Sequence, residues 1–151
     1  MSLTYDRVGI SVDRRDREHR ATIGEGRTKF ETASAEVMRW QIKTRSGFRV
    51  DRPDIALGAD YVIRLGPLVE NVRVVRIVDE PRRKGFAYGT LAQHPLKGEE
   101  AFLVEWRDDD RVDVVIRSFS TPNGAFWTLM LPVMAIARRV FIRRYLRALL
   151  D

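Results

Sequence analysis

His94 is one of two histidines in a 151-residue chain without cysteine, and it stands beside Pro95, just ahead of Glu99 and Glu100. An imidazole titrates near neutrality, so His94 facing a carboxylate across a hairpin is a candidate general acid or base. Glu99 and Glu100 open what reads as a strand, where adjacent residues point to opposite faces. Glu100 shares parity with Phe102, Val104 and Trp106, the set expected to face inward, and is the second acid/base candidate. An inward carboxylate needs a partner, or burial drives its pKa up. Arg138 offers one. On a helical wheel, Leu131, Met134, Phe141, Ile142, Tyr145 and Leu149 form an apolar arc, and Arg138 falls inside it. A guanidinium there is costly unless it meets a carboxylate or an anionic ligand group. Tyr88 lies between Gly85 and Gly89, where missing side chains let another group approach the backbone. Arg138, Tyr88, Glu100 and Tyr145 are therefore the candidate ligand-binding residues. Each also has a plainer reading: a turn histidine bonded to backbone, glutamates solvated at a strand mouth, a snorkelling arginine, a core tyrosine with its hydroxyl at the rim.

Other chemistries lack their residues. Without cysteine there is no thiol nucleophile, disulfide or thiolate-bound metal, and His19 and His94 alone make a poor zinc set, so no metal is expected. Gly24-x-Gly26 lacks the third glycine of a dinucleotide site and reads as a tight turn or bulge; no cofactor is expected. The formal charge of +6 is concentrated at the end, where Thr121 to Asp151 holds five arginines and one acid. Arg143, Arg144 and Arg147 form a basic stripe opposite the apolar arc, although Ile136 and Val140 also fall on that far side. The stripe lacks the interleaved aromatics that stack on bases, so a nucleic-acid partner is not expected. It reads as the wet side of a helix, with contact to a membrane surface as the alternative.

These residues need elements to position them. The length suits one domain, residues 1–151. Val8, Ile10 and Val12 alternate as a short strand, and Asp13 to Arg20, His19 included, reads as a solvated loop. Thr28-x-x-Glu31 has capping-box spacing ahead of Phe30, Ala33, Val37 and Trp40, which predicts one helix to about Lys43. From Phe48 to Phe119 the apolar period becomes two, with turns at Gly66-Pro67, Glu80-Pro81, His94-Pro95, Lys97-Gly98 and Asp108 to Asp110. Pro132 either kinks the closing helix or starts it anew. The sum is an α+β fold with about six antiparallel strands wrapped on a long C-terminal helix, the element order of helix-grip folds of the START and Bet v 1 type.

The stretch Gly85-Phe86-Ala87-Tyr88-Gly89-Thr90-Leu91-x-x-His94-Pro95-x-x-Gly98-Glu99-Glu100-x-Phe102 is the most distinctive part of the chain. With Gly24-x-Gly26-x-x-x-Phe30 before it and Arg143 to Leu149 after it, it resembles the DUF1990 (UPF0548) family of uncharacterised proteins, from about Tyr5 to Leu150. The resemblance implies no activity, so no catalytic role is carried onto these positions. Three functions stay open. One is a pocket between sheet and C-terminal helix for a small apolar or amphipathic molecule with an anionic group, anchored by Arg138. Another is an enzyme using His94 or Glu100, and the third an interaction or membrane-surface module built on the basic helix. Met1 to Ala21 has no apolar stretch of a secretory signal, and the longest apolar run, Ala125 to Ala137, is too short to span a bilayer, so a cytoplasmic protein is expected.

Overall fold

The computed structural model describes residues 2–92 and 94–150. Its strands are β1 (Glu18–Glu25), β2 (Arg49–Val50), β3 (Asp60–Leu65), β4 (Leu68–Glu80), β5 (Arg83–Thr90), β6 (Leu96–Trp106) and β7 (Arg111–Pro122). The α-helices are α1 (Arg27–Val37), α2 (Gln41–Thr44), α3 (Ala125–Leu129) and α4 (Leu131–Arg147). All seven strands join one curled antiparallel sheet in the order β1-β7-β6-β5-β4-β3-β2. The expected α+β helix-grip architecture is present, with seven strands rather than six.

One face of the sheet buries the main core. Tyr61 and Ile63, Val72 and Val74, Phe86 and Tyr88, Phe102 and Val104, and Val112, Val114 and Ile116 meet Phe30, Val37 and Trp40 from α1 and its end, and Ile142, Tyr145 and Leu149 from the end of α4. A bulge between Val74 and Arg76 then turns Val78 to the other face. There Val78 joins Ala87, Ala101, Leu103 and Val115 beneath Val12.

The N-terminal expectations need correction. Ile10–Asp13 is a 3₁₀ turn rather than a strand, entered through Gly9 at φ 88°. The alternation of Val8, Ile10 and Val12 misleads because a carboxylate, Glu99, accepts the N–H groups of Gly9 and Ser11 that a strand would give to a neighbour. The supposed loop to Arg20 is instead a short 3₁₀ turn, Arg15–Arg17, followed by β1, and His19 is an exposed residue of β1 opposite Ile116. The inner flank of β1 is paired by charge. Arg117, only 1% exposed, donates to Glu18 at 2.9 Å, and Arg20 reaches Asp113 at 2.9 Å and Glu105 at 2.8 Å.

The helices also differ from expectation. α1 begins at Arg27 with Gly26 as its cap, so Thr28 lies inside the first turn and makes no capping bond. Phe30, Ala33, Val37 and Trp40 are all buried as their spacing predicts, but the helix stops before Trp40, which adopts a left-handed φ of 64°. α2 is therefore a separate turn with its own phase, and it carries Lys43 inward. Pro132 sits in the first turn of α4 and starts it anew after α3. The Lys97-Gly98 turn is part of β6, which runs back to Leu96.

Candidate functional site

β6 presents Glu99 and Glu100 to opposite faces, as strand geometry requires. Glu99 is buried beneath the N-terminal segment, where it accepts from Tyr5 Oη and from Gly9 and Ser11 N–H. Glu100 faces the main core. Its register partner on β5 is Tyr88, whose hydroxyl donates to Glu100 Oε1 at 2.7 Å.

Three further groups gather around this pair. Lys43 is 2% exposed, donates to Tyr145 Oη at 2.9 Å and Glu70 Oε1 at 3.3 Å, and lies 3.8 Å from Glu100 Oε1. Its ammonium also stands 4.2 Å from the centre of the Phe48 ring and 5.1 Å from that of Tyr145. His94 accepts from Leu96 N–H through Nδ1 at 3.0 Å, which leaves the ring proton on Nε2, 3.8 Å from Glu70 Oε2. Arg138 closes the network at the helix, with Nη1 3.8 Å from Glu100 Oε2 and Nη2 donating to Ser118 Oγ.

The contacts therefore run from His94 to Glu70, Lys43, Glu100 and Arg138, with Tyr88 and Tyr145 on the flanks. Burial pulls the Lys43 pKa down, but Glu70, the two tyrosines and Glu100 outweigh it and hold the value well above that of a free lysine. Burial, reinforced by Glu100, raises the Tyr88 hydroxyl well above its usual range. Burial also raises Tyr145, against the pull of Lys43. Burial lowers His94 more than Glu70 raises it, so the imidazole is neutral at pH 7. Two carboxylates thus face two cations across neutral phenols and a neutral imidazole. Among the described residues, no three His, Asp or Glu side chains gather as metal ligands.

His94, Glu100, Tyr88, Tyr145 and Arg138 are brought together from five places in the chain. His94 bonds backbone from the connection before β6 and is nevertheless buried, 5% exposed, with Nε2 on the side of Glu70. The approach to the backbone expected near Tyr88 is made by the chain itself: Tyr5 lies over Gly89, where a Cβ would fall 2.1 Å from its hydroxyl. Sequence reading missed Lys43 and Glu70. Glu70 could have been found by the parity that places Glu100, because it precedes the inward Val72 and Val74 on the same strand.

The space around the site is unevenly filled. Behind the network, Trp40, Tyr88, Phe102 and Tyr145 pack ring against ring, with centroids 5.4–6.0 Å apart along the chain of contacts. The apolar arc of α4 is buried only in its second half; Leu131 is 44% exposed, and no residue from Leu131 to Val140 is fully buried. Grooves of about 730 Å³ beside Arg82 and Trp106, and about 340 Å³ beside Tyr5 and Lys97, are not lined by any network residue.

A curled antiparallel sheet gripping a long C-terminal helix, with a buried charged network at their junction, defines this as a helix-grip protein. The chain belongs to the DUF1990 family, described as a domain of unknown function, whose pattern matches residues 4–148. A UPF0548 protein of Deinococcus radiodurans is 32% identical, over 97% of this chain and 85% of that protein. A UPF0548 protein of Arabidopsis thaliana is 28% identical, over 87% of this chain and 69% of that one. Among solved structures, a hypothetical protein from Helicobacter pylori superposes with a TM-score of 0.59 at 12% identity, covering 85% of this chain and 83% of that one. At that identity the likeness speaks for the fold alone.

Proposed function

We propose that this protein binds a small amphipathic molecule with an anionic group, seated where the first half of α4 leaves the sheet. The observation that carries the reading is the position of Glu100 between two unlike cations. Lys43 is sealed in the core, whereas the Arg138 side chain is 40% exposed. The polar network therefore reaches solvent at Arg138, beside helix residues that do not pack on the core. An anionic group there would meet the Arg138 guanidinium and the Ser118 hydroxyl, and its apolar part would lie along the inner side of α4 near Met134. The Arg138–Glu100 contact of 3.8 Å is long and half-wet, so an incoming anion would displace little. The acid/base reading is weaker: His94 is buried at the opposite end of the contact chain from this opening, and Glu100, its other candidate, is already engaged by the Tyr88 hydroxyl, Lys43 and Arg138.

The test is native mass spectrometry of the purified protein beside a denatured control, repeated on Arg138→Met. A small molecule that co-purifies with the wild type and is lost from the folded variant supports the reading. A protein that is empty, and stays so with fatty acids or aromatic carboxylates added as probes, overturns it.

A further inference from the structure

The outward side of the C-terminal helices is not the wet face its arginines suggest. Val133, Ile136 and Val140 follow one another at helical spacing of three and four residues, and are 56%, 65% and 42% exposed. Phe126 and Leu129 of the short helix α3, just before α4, are also apolar and exposed, at 62% and 80%. Arg139 and Arg143 flank the row, are exposed, and form no ion pair among the described residues. The chain has no acidic residue from 114 to 150.

We propose that α3 and the first half of α4 dock on a lipid bilayer with anionic headgroups. Phe126, Leu129, Val133, Ile136 and Val140 enter the headgroup boundary, and Arg139 and Arg143 meet lipid phosphates. An apolar row framed by arginines is the pattern of a helix lying in the interface. No helix among the described residues is long and apolar enough to cross a membrane, so the contact is in-plane. Charge selects this occupant over the alternatives. A second copy docked on the same face would bring two sets of unpaired arginines together. Nucleic acid would satisfy the arginines but leave the apolar row with nothing to bury against. This inference does not depend on a ligand at Arg138.

The experiment is flotation with vesicles of phosphatidylcholine alone and of phosphatidylcholine with phosphatidylglycerol, at low and high salt. Ile136→Glu and Arg139→Ser/Arg143→Ser are the variants; all three positions are exposed, and unchanged thermal melts confirm that the variants fold. The expected result is partitioning onto the phosphatidylglycerol vesicles at low salt, weakened by about fivefold for each arginine removed and abolished by Ile136→Glu. Absence of partitioning overturns the proposal, as does partitioning that Ile136→Glu leaves unchanged. Dimerisation abolished by Ile136→Glu without vesicle binding overturns it in favour of a second copy. Vesicle-independent nucleic-acid binding lost only with the arginines overturns it in favour of that partner.

Discussion

Tyr88 and Glu100 stand directly opposite each other on β5 and β6, and the phenol donates to the carboxylate at 2.7 Å. Cross-strand register, not loop placement, sets this contact, so the centre of the network is as rigid as the sheet. Three of its partners attach from less regular elements: Lys43 from a single helical turn, His94 from a tight connection, Arg138 from the loosely packed part of α4.

Lys43 is the structural cation of the site. Lys43→Met keeps much of the volume but leaves Glu70 and Glu100 without their buried counter-charge, and should destabilise by about 3–5 kcal/mol. Denaturant melts measure this. Adding Glu70→Gln should recover part of the loss, because it removes one of the stranded charges; no recovery would place the cost in packing instead.

Acid should loosen the same region. Burial holds His94 below its ordinary pKa of 6.5, so the unfolded chain binds this proton more readily than the folded one. The stability this group contributes is therefore complete above pH 6.5 and falls as the pH drops below it. His94→Gln should flatten that part of the pH–stability profile. An unchanged profile would mean that His94 is not the group responsible.

Gly89 tests the N-terminal strap. Gly89→Ala places a methyl 2.1 Å from the hydroxyl of Tyr5, which also bonds Glu99. The tyrosine must shift, at a cost of about 1–3 kcal/mol, and proteolysis before β1 should quicken. In a Tyr5→Ala background the penalty should largely vanish; a double-mutant cycle reads the coupling.

Arg117 tests the edge. Arg117→Met removes the buried guanidinium that Glu18 and Glu105 share and leaves both to the more exposed Arg20. Stability should fall by about 3 kcal/mol, the low end for a broken buried pair because Arg20 still compensates. Hydrogen exchange should show β1 amides losing protection more than those of β4 or β5.

The sequence was most legible where burial alone decides conformation. Strand parity placed Tyr61 and Ile63, Val72 and Val74, and Glu100 with Phe102 and Val104 on one inner face, failing on β4 only past the bulge after Val74, and the wheel placed Arg138 on the inner side of α4 beside Glu100. Legibility failed where something other than apolar periodicity decides. Glu18 to Glu25 shows little hydrophobic alternation because its inward residues Glu18 and Arg20 are charges satisfied largely by charges distant in sequence. Lys43 was hidden by the left-handed Trp40, which resets the helical phase so that the pattern of α1 no longer predicts which side of α2 faces the core. Val8 to Val12 was misread because its backbone partners, Glu99 and Arg117, lie far away in sequence.

The order of strands in the sheet carries one more consequence, for the life of the chain before it is folded. β1 has a single neighbour, β7, and Ala21 meets Val114 across more than half the length of the sequence. On the ribosome the first strand must wait, as an unpaired edge, until the last strand has emerged. Contacts so distant in sequence form late and slowly. The charged residues that make β1 hard to read also suit that wait, because an exposed edge bearing Glu18, Arg20 and Glu25 resists pairing with the wrong chain.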